Sequence, residues 1–247
     1  PAARRKAGAA FDRLAGKIRA AEAEICLISA ESLEQADPAL LHEVATTYFA
    51  GAADAIRIIA YVRPHAARLL SNFAEQTKIG AFRADLESYF LHTLKNGRLR
   101  YQPRFAAWRA HFGDAFTLRP MIAEHLHAGS VLDDFIRHGL GQTGFRVSGS
   151  APANESLCLE DLMRLKLLQA HCARHPQKLR HALGWEFARM AATLPPPEPR
   201  TRLRLHRALA RKIHAAYLQD ARAMDRDFFG GDPLLERALD TALETAG

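Results

Sequence analysis

The stretch Ile58–Gly80, IIAYVRPHAARLLSNFAEQTKIG, decides how the rest of this sequence is read. It opens on a short, continuous apolar run of the length and composition of a buried strand. The run ends in Arg63. Pro64 follows, where its fixed φ and missing N–H suit a helix start. Leu69, Leu70 and Phe73 then give the next segment an apolar face, and Gly80 closes it. The unit reads as strand, arginine, helix. In open parallel sheets ligands sit at the carboxyl ends of strands, which is where Arg63 falls. Ser71 stands seven residues after Pro64, two helical turns on, so it shares a face with the helix start. A guanidinium and a hydroxyl so placed can grip one phosphate from two sides. The same spacing also fits an arginine in a salt bridge and a small packing serine.

Outward from this unit the pattern alternates. Residues 1–22 carry Phe11, Leu14 and Ile18 at helical spacing. Ile25–Ser29 (ICLIS) reads as a second buried strand. Asp37-Pro38 is a helix start, with Asp37 as N-cap, for a helix running to about Phe49. Helices follow over about 82–95 and 102–112, a third strand over Ala115–Arg119, and a short helix over Gly129–His138. Alternating strands and helices predict an α/β fold: a three-layer, P-loop-like parallel sheet with flanking helices over residues 1–141. Gln142–Asn154 is a polar Gly/Ser-rich loop. Beyond it the pattern is wholly helical, over about 156–174, 178–192, 200–226 and 233–245, and predicts a helical C-terminal part over 142–247 packed on the core.

The chain of 247 residues carries a formal charge of +7, mostly from arginine, which suits a protein that handles anions. Much of that charge lies in Pro199–Lys212 (PRTRLRLHRALARK), which reads as a solvated helix face. Three cysteines without paired spacing argue against a disulfide framework and for a reducing, cytoplasmic setting. No apolar run is long enough for a membrane span. His171 and His175 stand at i, i+4, but no third ligand has a fixed spacing to them, so no metal is expected. No G-x-S-x-G turn supports serine hydrolase chemistry. Cys158, Cys172, Trp108 and Trp185 fall on apolar stripes and read as core.

Arg63, Pro64 and Ser71 together resemble the 3′-phosphate-binding element of sulfotransferases that use 3′-phosphoadenosine 5′-phosphosulfate (PAPS). Ser71-Asn72-Phe73-Ala74-Glu75-Gln76-Thr77-Lys78 is similar to the Ser-x-aromatic-x-x-Gln-x-Lys of bacterial members, and Leu27-Ile28-Ser29-Ala30-Glu31 to a strand end of bacterial polysaccharide-associated sulfotransferase-like proteins. Phe116–Pro120, Val131–Phe135 and the tail Tyr217–Phe229 resemble the same group. The resemblance implies Arg63 and Ser71 as cofactor-binding residues, PAPS as co-substrate, and a polysaccharide or glycolipid hydroxyl as acceptor. Glu31, at a strand end, is the expected base for the acceptor proton; it reads equally well as the first acidic residue of a loop. Arg119 and the helix over 156–175 are assigned to the acceptor side. The family's Gly-rich phosphosulfate loop has no counterpart here, so the chain, which opens on Pro1, is expected to be incomplete and inactive as given. The alternative is a non-catalytic P-loop-like module that binds a glycan or a partner. A nucleoside-triphosphate enzyme is disfavoured by the lack of an Asp at the ends of the first two strands. Nucleic-acid binding is disfavoured by an arginine-rich segment without interleaved aromatics.

Overall fold

The computed structural model describes residues 2–21, 23–148 and 157–247, with the side chains of residues 2–6 and of Glu31 excepted. In chain order the elements are α1 (Ala2–Ala20), α2 (Pro38–Tyr48), β1 (Ile58–Val62), α3 (His65–Lys78), α4 (Leu86–Lys95), α5 (Tyr101–Phe112), β2 (Phe116–Pro120), α6 (Val131–Gly139), α7 (Leu159–His171), α8 (Gln177–Ala191), α9 (Arg207–Phe228) and α10 (Leu234–Glu244). Helices thus dominate. The described residues contain one sheet, of two parallel strands in the register Ile58↔Phe116 to Val62↔Pro120.

This corrects the three-layer, P-loop-like sheet expected from the sequence. The expected strands Ile56–Val62 and Ala115–Arg119 both form, the first beginning two residues later, at Ile58, and the second shifted by one residue. Ile25–Ser29 does not. It lies outside any helix or strand and makes no backbone hydrogen bond among the described residues, and Ile25, Leu27 and Ile28 are 48%, 59% and 49% exposed. Five apolar residues meet the composition of a buried strand, yet a strand exists only where a neighbour accepts its N–H and C=O groups. The Gly/Ser-rich loop of 142–154 falls beyond residue 148 outside the described residues, as does the expected start of α7 at 156.

The chain divides into two compact units, residues 1–62 with 103–145, and residues 63–102 with 146–247. Tyr101 and Gln102, the first residues of α5, belong to the second and the remainder of that helix to the first. In the first unit Asp37 caps α2, its carboxylate accepting from the Ala39 N–H at 2.8 Å, and Pro38 occupies the first turn, as the sequence requires. Phe11 of α1 meets Tyr48 of α2, ring centroids 5.5 Å apart. Trp108 and Phe105 of α5 lie against Phe116 of β2. The second unit is a helical bundle. Leu209, Ile213, Tyr217, Ala221 and Met224 line one buried stripe of α9, against which α3, α4 and α10 pack. Leu69 and Phe73 of α3, Leu162 and Leu165 of α7, and Leu235 and Leu239 of α10 complete that core.

Candidate functional site

Arg63 begins the second unit, directly after β1, and Pro64 is the N-cap of α3. The Arg63 carbonyl accepts a hydrogen bond from the Tyr101 hydroxyl at 3.0 Å. Its guanidinium is half-buried and has no acidic or hydrogen-bonding partner among the described residues. Burial, and then the repulsion of Arg68, pull its pKa below the ordinary arginine value. Each acts against the charged form, and no acidic partner among the described residues offsets it. Ser71 is partly buried on α3, and its hydroxyl likewise has no partner among the described residues. Helix geometry puts Ser71 about 10 Å along the axis from Pro64 and on the same face. Arg63 and Ser71 therefore bracket the first two turns of one helix.

Three residues that sequence reasoning missed hold the start of that helix. His65 is fully buried, with its Nε2 2.9 Å from the Asp220 carboxylate of α9. Asp220 also accepts the backbone N–H groups of Tyr101 at 2.9 Å and Gln102 at 3.1 Å. One carboxylate thus caps the beginning of α5 and anchors the first residue of α3. The His65 ring lies between Tyr101, at 4.4 Å, and Tyr217, at 5.1 Å. Its Nδ1 and the Tyr217 hydroxyl are buried without a partner. Burial, and then the Asp220 charge, push the Tyr217 phenol up to about 12, so it stays neutral. The signal in the sequence was an aspartate three residues after Tyr217 on an otherwise apolar helix face. A carboxylate there must find donors.

Glu31 opens a 3-10 turn, Glu31–Gln35, in the first unit. Its side chain lies outside the described residues. Arg119 of β2 is engaged within the first unit: its Nε and Nη2 donate to the two oxygens of Asp134 at 2.9 and 2.6 Å. The same carboxylate accepts from the Tyr61 hydroxyl at 2.8 Å and the His127 N–H at 2.9 Å. Burial raises the pKa of Asp134; these donors outweigh it and hold the carboxyl at about 2. The cluster ties β1, β2 and α6 together and leaves Arg119 committed. Among the described residues no His, Cys, Asp and Glu group could hold a metal ion, and no helix is long and apolar enough to cross a membrane. No family model, curated protein or solved structure matches the chain.

Proposed function

We propose that this chain binds the 3′-phosphate of PAPS through Arg63 and Ser71, and serves transfer of the sulfuryl group to a hydroxyl of a polysaccharide or glycolipid. One observation carries the reading: a half-buried guanidinium at the start of α3 with no acidic partner among the described residues. An unneutralised, partly desolvated cation favours an anionic ligand, and the arginine fork suits two phosphate oxygens at once. The Ser71 hydroxyl, free to donate, supplies a further contact two turns along the same helix face. Asp220 fixes the starts of α3 and α5 around Arg63, so the cation is held in place rather than on a mobile loop. In the transfer the acceptor oxygen bonds to sulfur as the bond from sulfur to the 5′-phosphate oxygen breaks. The electron pair leaves with the 3′,5′-bisphosphate, and Glu31 takes the acceptor proton.

The test is calorimetric titration with adenosine 3′,5′-bisphosphate. Arg63→Ala and Ser71→Ala should each weaken binding at least tenfold. Adenosine 5′-phosphate, lacking the 3′ group, should bind wild type and both variants alike. Unchanged bisphosphate affinity in Arg63→Ala would overturn the assignment. The two-stranded sheet favours a second reading, in which the same pair holds a phosphorylated ligand without chemistry. Bisphosphate binding without transfer of labelled sulfate from PAPS to a glycan, in the presence of a separate phosphosulfate-loop polypeptide, would select it.

A further inference from the structure

The arginine-rich segment reads from sequence as a solvated helix face, but only its end is helical: α9 begins at Arg207, and residues 201–206 form neither helix nor strand. Over residues 201–205 exposure alternates. Arg202 and Arg204 face solvent, Leu203 is partly covered and Leu205 is buried. His206 then caps α9, its Nδ1 accepting from the Leu209 N–H at 3.2 Å. Arg207 and Arg211 follow at i, i+4 on the exposed side of α9, while Leu209, Ala210 and Ile213 are buried. The outcome is four exposed guanidinium groups within ten consecutive residues.

These four arginines differ from others on the same unit. Arg164 pairs with Asp161, Arg189 with Glu186, Arg222 with Glu236, Arg226 with Asp227 and Arg237 with Asp232. Arg202, Arg204, Arg207 and Arg211 have no side-chain partner among the described residues. Arg207 also stands in the first turn of a 22-residue helix that has no acidic residue there, where the helix dipole disfavours a cation. The four groups repel one another and the helix end, and a bound polyanion relieves both.

We propose that Arg202, Arg204, Arg207 and Arg211 form a binding surface for an acidic polysaccharide, a linear chain bearing carboxylates or sulfates. The groups are all guanidinium forks, which match planar or tripod oxyanions bidentately. No Phe, Tyr or Trp lies among residues 199–211, and the one imidazole there, His206, is engaged as the N-cap of α9, so a single strand finds no run of rings to stack on. No large exposed apolar side chain lies there either, so insertion into a bilayer has no anchor. With the proposed function, this surface makes the acceptor an acidic glycan, but it stands on different residues from the Arg63 pair.

The experiment titrates the full chain with a heparin octasaccharide, an oligogalacturonate, a short DNA duplex and phosphatidylserine vesicles at several salt concentrations. Wild type should bind one or both glycans, more weakly as salt rises. Arg202→Gln/Arg204→Gln/Arg207→Gln/Arg211→Gln should lose at least tenfold in glycan affinity and show a shallower salt dependence. Arg202→Gln/Arg204→Gln, which leaves α9 untouched, should lose at least threefold. Glycan affinity unchanged in both variants, no glycan binding by wild type, or tighter binding of DNA or vesicles than of either glycan would each overturn the proposal. Bisphosphate titration of the fourfold variant separates the two sites. Retained glycan binding in a wild-type protein that ignores the bisphosphate would sink the PAPS reading alone.

Discussion

Asp134 shows how much one side chain can be asked to hold. Its carboxylate is fully buried and accepts four hydrogen bonds, two from the Arg119 fork, one from Tyr61 and one from the His127 N–H. Its folded pKa of about 2 lies below the ordinary 3.8, so its stabilisation is complete above about pH 4 and disappears as pH falls toward 2. That shift is worth about 2 kcal/mol. Urea unfolding of the wild type and of Asp134→Asn at pH 7, 4 and 2 checks it. The variant should be less stable at pH 7 by at least about that amount, and the gap should narrow by about 2 kcal/mol at the acid end. A gap independent of pH would mean that the charge is not what the donors hold. The Arg63 guanidinium is the opposite case, a half-buried charge with no acid beside it, and the contrast is the reason for reading one as structural and the other as a ligand site.

At the scale of elements, the end of α3 is as closely specified as its beginning. Gln169 of α7 is buried and donates through Nε2 to the Lys78 and Arg180 carbonyls, both at 2.9 Å, and Gln177 of α8 donates to the Ile79 carbonyl at 2.8 Å. The Lys78 and Ile79 carbonyls are among those that the end of α3 leaves free, and the side-chain amides satisfy them. Gly184 of α8 lies so close that a Cβ there would stand 1.9 Å from the Lys78 carbonyl oxygen. The α3 and α8 backbones approach because no side chain separates them. Gly184→Ala should therefore lower stability by about 1–3 kcal/mol, even though alanine is the better helix former by about 1 kcal/mol. Thermal unfolding followed by circular dichroism measures it, and a melting temperature equal to or above wild type would refute the close approach. None of this was visible in the sequence. Gly184 reads there as an unremarkable glycine in a helical stretch, because its partner is over a hundred residues away.

For the whole molecule, legibility followed the range of the forces involved. Helix positions, the Asp37 cap and the two strands of the sheet rest on neighbours in the chain and were readable. Arg63 and Ser71 were readable as a pattern on one helix, whereas His65, Tyr101 and Asp220 around them come from three distant segments. Ile25–Ser29 was misread because its composition is that of a buried strand while its partner strand is missing among the described residues. That segment sets the behaviour of the protein as a whole. Three large apolar side chains are exposed on a backbone with no described hydrogen-bond partner, which offers a template for pairing between chains. A net charge of +7 opposes such pairing by mutual repulsion. Salt screens that repulsion beyond about 10 Å at 0.1 M, while it leaves the apolar attraction intact. Light scattering should therefore rise as salt is added, and Leu27→Lys, which places a charge on an already exposed position, should suppress the rise without lowering the melting temperature. Scattering that falls with salt, or that is the same in Leu27→Lys, would show that association runs through another surface.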